Sequence, residues 1–189
     1  MTQGSPCSEK TKAKIAFALK TLMNNESFDK ITVSDITEEC KIHRQTFYYH
    51  FQDRYELLDW LIYNELLKPL ITDFNLDNMF DKLLNMFETM KNDDKFYHNA
   101  LKINGDDLTR YVSRVASEQF TEVMKRIGEE NGTYIDKEHN IIISEFFGYG
   151  ISGVVMNWVQ RGMRESPKEM TNKIKKLVDI CKQIAVKRT

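Results

Sequence analysis

Ile42-His43-Arg44-Gln45-Thr46-Phe47-Tyr48-Tyr49-His50-Phe51 is the stretch from which the rest of the chain can be read. On a helix, Phe47 and Phe51 fall four apart on one face, where they anchor to a small core. Gln45, Thr46 and Tyr49 lie roughly opposite, flanked by Tyr48 and His50, with Arg44 projecting from the first turn. Two adjacent tyrosines and a histidine cannot all point inward on so short a helix, so polar aromatic surface must face out. Arg and Gln form bidentate hydrogen bonds to guanine and adenine edges, while Thr, Tyr and His donate to phosphates. No acidic residue falls between Lys41 and His50. The pattern predicts a recognition helix that lies in a DNA groove.

Working outward, Thr32 before Val33-Ser34-Asp35 predicts a capped helix with Val33, Ile36 and Cys40 along one side. Upstream, Ile15, Ala18, Leu19 and Leu22 repeat at three and four between Glu9 and Asn24, and Phe28 closes over the end of that helix. Helix, helix, short turn, helix is the helix-turn-helix arrangement. Downstream, Asp53-Arg54-Tyr55-Glu56 opens a fourth helix whose first N–H groups and Arg54 are placed to clamp a phosphate. It should run through Leu57, Leu58, Leu61, Ile62 and Leu66 to about Lys68, where Pro69 kinks or ends it. The expected organisation is a flexible arm over residues 1–8, a DNA-binding domain over 9–68 and a second helical domain over 69–189.

The segment from Thr32 to Leu58 resembles the DNA-binding domain of the TetR family of bacterial transcriptional regulators. The likeness rests on its Thr-x-x-x-Ile opening, its Thr-Phe-Tyr-Tyr-His-Phe centre at 46–51 and its Asp-x-x-Glu-Leu exit at 53–57. Within that family, the run from Arg44 to Phe51, and Phe146-Phe147-Gly148-Tyr149-Gly150 followed by Trp158 and Gly162, are similar to regulators of dihydroxyacetone kinase operons. The resemblance implies that Arg44, Gln45 and Tyr49 face bases, with Ser34 reaching one, and that Thr32, Thr46, Tyr48, His50 and Arg54 hold phosphates. One departure stands in the turn, where the family usually has glycine and this chain has Lys41. A positive φ there costs a lysine some strain.

Beyond Pro69 the pattern stays helical. Met79, Phe80, Leu83, Leu84, Phe87 and Met90 form an apolar stripe, and Phe96, Tyr97, Ala100 and Leu101 mark a shorter helix. A long one runs from about Leu108 to Ile127 and stops near Asn131-Gly132. Asp136 caps the next, which reaches Arg161 and is apolar on nearly every side. Such a helix must be buried all round, one side on its own domain and the other on a second subunit. Ser166-Pro167-Lys168-Glu169 is a capping box with proline at the first helical position, so a final amphipathic helix begins there.

The fold expected is therefore all-α with about nine helices, a three-helix reading head followed by a helical effector and dimerisation domain. The predicted dimer interface takes Phe146, Phe147, Gly150, Ile151, Val154, Val155 and Trp158 from one helix and Ile174, Leu177, Val178, Cys181 and Ile184 from the last. A half-site reader gains palindrome specificity by pairing with a two-fold mate. The resemblance adds an effector held by the second domain, with Phe87, Met90, Phe96, Tyr97, Tyr111, Phe120, Phe147 and Tyr149 as candidate pocket lining. That effector is a small molecule or, in regulators of the dihydroxyacetone kinase type, a kinase-like protein co-activator.

Composition bounds the alternatives. Hydrophobic residues make up 41 % and charged residues 29 %, with 8 glycines and 3 prolines, as in an ordinary soluble globular protein. The net charge of -1 gives no overall attraction to nucleic acid, but Lys10, Lys12, Lys14, Lys20, Lys41, His43 and Arg44 gather in the first quarter of the chain. Three cysteines without metal or disulfide spacing, and a start without an apolar h-region, predict a cytoplasmic protein with neither disulfide frame nor secretory signal. Ile141 to Val159 is interrupted by Glu145 and Asn157, which argues against a membrane span. No P-loop, GxGxxG, GxSxG or HExxH motif occurs, and the four histidines lack metal-ligand spacing, so neither an enzyme nor a bound cofactor or metal is expected. The expected function is a homodimeric regulator of a palindromic operator, acting as a repressor. The alternatives are an activator of a dihydroxyacetone kinase operon and a helical adaptor that binds proteins but not DNA.

Overall fold

The computed structural model describes residues 6–75, 77–100, 103, 105–130, 132 and 136–186, and among these it contains nine helices and no strand. Helix α1 is Pro6–Met23. Proline suits a first helical position because its missing N–H has no partner there in any case. The helix therefore starts three residues before the expected Glu9, and residues 6–8 belong to it rather than to an arm. A 3-10 turn at Phe28–Lys30 leads to α2, Val33–Glu39, and then to α3, Arg44–His50. Ile15, Leu19, Ile36, Phe47, Leu57 and Leu61 close the core between these helices and the next.

Helix α4 spans residues 54–71 and contains a π turn at Tyr63–Leu67. It runs through Pro69 instead of stopping at Lys68. In a regular helix the Pro69 ring would press on the carbonyl one turn back. The π turn widens the helix just ahead of it, with the Lys68 N–H reaching back five residues to the Tyr63 carbonyl. The helix ends beyond Ile71, where Asp73 takes φ 53°.

Helices α5 (Met79–Asn92), α6 (Asp94–Ala100), α7 (Gly105–Glu130), α8 (Lys137–Gln160) and α9 (Pro167–Val186) build the second half. α9 lies on α5, with Lys175 5.6 Å above the Phe80 ring. α7 and α8 pack along a seam of small polar residues. Ser113 and Ser117 on one side face Ser144, Gly148 and Ser152 on the other, all buried. Asn140 Nδ2 donates to the Thr121 carbonyl at 3.2 Å across the same seam. One continuous apolar core joins the halves, running from Ile15 through Leu66 and Phe87 to Ile174.

α8 is long and apolar enough, by length and composition, to cross a membrane; a third of its most apolar window is buried inside the protein. It is not buried all round in the single chain. Ile142, Phe146, Tyr149 and Val154 on α8, with Leu177 and Ile180 on α9, are exposed, Phe146 at 74 %. Of the predicted dimer residues, Phe146, Phe147, Gly150, Val154 and Leu177 lie on the outer surface, and Ile151 and Val178 are half-buried. Val155, Trp158 and Ile174 instead face the chain's own core. Trp158 is the clearest correction, meeting the Phe87 ring edge-on at 5.1 Å and donating its indole N–H to the Glu165 carbonyl at 3.0 Å. The side chains of Cys181 and Ile184 lie outside those described.

Candidate nucleic-acid interface

Two backbone hydrogen bonds close α2, from the Lys41 N–H to the Glu38 carbonyl at 3.1 Å and from the Ile42 N–H to the Thr37 carbonyl at 3.0 Å. This is a Schellman closure, which requires a left-handed residue, and Lys41 supplies it at φ 50°. The turn points α3 away from α2, and α3 is then held by its own apolar face. Phe47 and Phe51 are buried, their ring centroids 5.9 Å apart, and Phe51 meets Trp60 of α4.

With those rings turned in, Arg44, Gln45, Tyr48 and Tyr49 are exposed, Tyr49 at 82 %. Tyr49 stands edge-on to His50 at 5.0 Å. Thr46 and His50 sit half-buried at the margins of this face, and Ser34 is half-buried in the first turn of α2. Lys41 and His43, members of the basic cluster read from the sequence, are exposed as well and add polar and basic surface beside this face.

The flanking groups behave less freely than expected. The Thr32 hydroxyl donates to the Asp35 carboxylate at 2.7 Å and accepts from the Asp35 N–H at 3.3 Å, so it is committed to capping α2. The N–H and hydroxyl of Thr32 hold the Asp35 carboxyl below its ordinary range, with a smaller contribution from the nearby Arg44 charge. Burial pushes the His50 imidazole below its usual value, and the Lys12 ammonium adds to this. A neutral His50 offers a phosphate an N–H but no charge.

Arg54 departs furthest from its predicted role as a phosphate clamp. One of its guanidinium nitrogens donates to the carbonyls of Phe28 at 2.6 Å, Asp29 at 3.2 Å and Ile31 at 2.5 Å. The guanidinium also lies 4.6 Å from the Phe28 ring centroid and 5.4 Å from that of Tyr55. It ties the α1–α2 connection to α4. The first N–H groups of α4 are also taken, since the Asp53 carboxylate accepts from Tyr55 at 2.8 Å and Glu56 at 2.9 Å.

In the second half, the predicted pocket residues do not come together. Met90 and Tyr97 line an apolar cavity of about 60 Å³, along with Leu66, Leu70, Ala100, Ala116, Ser152 and Met156. Phe87 and Phe96 are fully buried in the core. Phe120 stacks on Phe147 at 5.9 Å on the outer side of α7 and α8, and Tyr149 lines an open groove there beside Arg114 and Glu118. The Tyr111 side chain lies outside those described. The lining of this cavity draws on the end of α4 and on small residues, positions that an aromatic pattern does not mark. The Tyr97 hydroxyl leaves the cavity to donate to Glu65 at 3.3 Å; burial first, and the Glu65 charge second, push it far above its ordinary pKa. Among the described residues, no group of His, Cys, Asp and Glu is arranged to hold a metal ion.

Comparison with known proteins gives two family matches. The family described as bacterial regulatory proteins, tetR family, matches residues 18–61, and the transcriptional regulator C-terminal region matches residues 77–179. The HTH-type dhaKLM operon transcriptional activator DhaS of Lactococcus lactis subsp. lactis (strain IL1403) is 33 % identical over 94 residues, half of this chain and half of that protein. The chain thus matches about half the length of this relative. A solved structure of a dihydroxyacetone kinase operon activator DhaS covers 92 % of this chain and 97 % of its own, with TM-score 0.72 at 23 % identity. The fatty acid degradation regulator FadR from Bacillus halodurans covers 94 % and 96 %, with TM-score 0.60 at 17 % identity. At such identities the structures show a shared fold.

Proposed function

Because the chain belongs to the TetR family of transcriptional regulators, which are not enzymes, we propose that it binds a palindromic operator as a cytoplasmic homodimer under the control of an effector acting on residues 69–189. The observation that carries this reading is the exposed face of α3. Arg44, Gln45 and Tyr49 stand together on it, α3 itself carries no acidic residue, and the buried Phe47 and Phe51 hold them outward. Arg44, Gln45 and Tyr49 read base edges, with Ser34 beside them. Tyr48, Thr46 and His50 hold phosphates, and Thr32 joins them only by releasing Asp35. Half-sites then lie about one helical turn, roughly 34 Å, or a multiple of it apart. Repression by blocking polymerase is the default action of such a protein.

A second reading, activation through a protein co-activator, is favoured by one structural feature. The cavity of about 60 Å³ is far below the several hundred Å³ of an ordinary ligand site, so the effector need not enter the core. The likeness to an operon activator supports the same alternative.

The test is fluorescence anisotropy with DNA from upstream of the chain's own gene, scrambled DNA, and a protein carrying Arg44→Ala and Tyr49→Ala. Each lost base contact is worth about 1–3 kcal/mol, so the variant should bind at least about tenfold more weakly. Its circular dichroism should be unchanged, since both side chains are exposed. Retained specific binding by the variant would remove these residues from the reading face. Equal binding of native and scrambled DNA in every effector condition would favour the adaptor.

A further inference from the structure

Lys20 near the end of α1 occupies an unusual position for a charged residue in a DNA-binding half. Its ammonium is 2.5 Å from Glu65 and 2.8 Å from Asp93, and 5.5 Å from the Phe96 ring centroid. Glu65 lies in the π turn of α4, and Asp93 joins α5 to α6. The same Glu65 oxygen also accepts from the Tyr97 hydroxyl at 3.3 Å, and the Tyr97 ring is a wall of the apolar cavity. Nearby, Asn99 Nδ2 donates to the Met23 carbonyl at 2.6 Å, fastening the end of α1 to α6. One carboxylate is thus shared between the first helix of the reading head and the wall of the cavity.

A half-buried lysine is costly to leave unpaired, so its two carboxylates hold α1 firmly only while both stay in place. Glu65 sits in a π turn, a departure from regular α geometry of the kind that recurs at functional sites.

We infer that Tyr97, Glu65, Lys20 and Asp93 form a relay through which a change in the apolar cavity is felt by the DNA-binding half. Displacing the Tyr97 ring withdraws its hydroxyl from Glu65, Glu65 then re-settles against Lys20, and α1 moves with its partner. These are positioning residues, and none touches DNA. The consequence for DNA rests on the regulator reading above; the mechanical link does not.

The test uses amide hydrogen exchange on the full chain. Tyr97→Phe, Glu65→Gln and Lys20→Met should each speed exchange over residues 15–39 about tenfold while α8 stays at its native rate, and Lys20→Arg should restore the native pattern. Filling the cavity by Ala100→Leu, or from the opposite wall by Ala116→Leu, should give the same local effect in the native background and none beyond it in Tyr97→Phe. Exchange that rises equally in every helix, or additive effects of filler and Tyr97→Phe, would overturn the relay. In parallel, Tyr97→Phe should shift affinity for the upstream DNA fragment about fivefold or more. If the native protein ignores that fragment while exchange remains coupled, the relay stands and the DNA reading loses support. If it binds while exchange is uncoupled, the relay alone falls.

Discussion

At Lys41 the backbone takes φ 50°, a region that crowds an L side chain at a cost of about 1–2 kcal/mol and leaves glycine unstrained. Glycine brings its own entropy loss of about 0.5–1 kcal/mol, so Lys41→Gly should gain roughly 0.5–1 kcal/mol net. The readout is a higher urea midpoint at unchanged slope; a lower midpoint would mean that the Lys41 side chain makes a stabilising contact outweighing the strain. Arg54 gives the opposite case. Removing it by Arg54→Ala strips three backbone carbonyls of one donor and should cost about 2–3 kcal/mol. The slope of log K against log salt for DNA should stay unchanged, whereas a phosphate clamp would reduce it by about 0.9. The role of Arg54 was not legible beforehand for a definite reason. Its partners are main-chain carbonyls more than twenty positions upstream, and no side-chain pattern advertises a carbonyl.

At the scale of elements, contacts between near neighbours in sequence and the phase of the amphipathic α3 were legible, and the phase of the apolar α8 was not. Thr32, Asp53 and Ser166 cap their helices as the spacing predicts, accepting from the N–H groups of Asp35, Glu56 and Glu169, because those contacts close within one turn. The inward face of α8 was assigned too far outward. Val155, Trp158 and Val159 belong to its core side, and its small polar stripe of Asn140, Ser144 and Ser152 faces α7 instead of solvent, so the usual polar-outward rule does not set the phase. The α7–α8 seam was not legible, because close approach depends on which small residues of two helices come face to face. A Cβ at Gly148 would clash with the Ser117 hydroxyl oxygen and come within 2.7 Å of the Ser117 backbone nitrogen. Gly148→Ala should therefore destabilise the protein by about 1–3 kcal/mol. Adding Ser117→Ala should not rescue it, since the backbone contact remains. Ser117→Ala alone should be neutral or stabilising, because the Ser117 hydroxyl is buried without a hydrogen-bond partner. Thermal unfolding of the three variants separates these cases, and full rescue by Ser117→Ala would show that the hydroxyl, not the backbone, sets the spacing.

At the scale of the whole molecule, the single chain leaves Ile142, Phe146, Tyr149 and Val154 of α8, with Leu177 and Ile180 of α9, exposed on the two helices proposed to face a second copy. Contiguous apolar surface on a monomer marks an interaction site, and a reading helix as short as Arg44–His50 spans only one half-site. Both facts are answered together if α8 and α9 pair with their symmetry mates. Gly150 offers a discriminating probe because nothing in its own chain lies within 4 Å of an added Cβ. In a lone chain, Gly150→Ala within a helix should stabilise by about 1 kcal/mol. In a dimer that brings backbones together at Gly150, the same methyl should keep the subunits apart. Sedimentation equilibrium at micromolar concentration should therefore show weaker association for Gly150→Ala and a monomer for Phe146→Glu with Leu177→Glu. Each should bind the palindromic fragment more weakly, with affinity for an isolated half-site unchanged. Should both variants sediment as the native protein does, the apolar surface of α8 and α9 would belong to a different partner, and the palindrome would lose its structural basis.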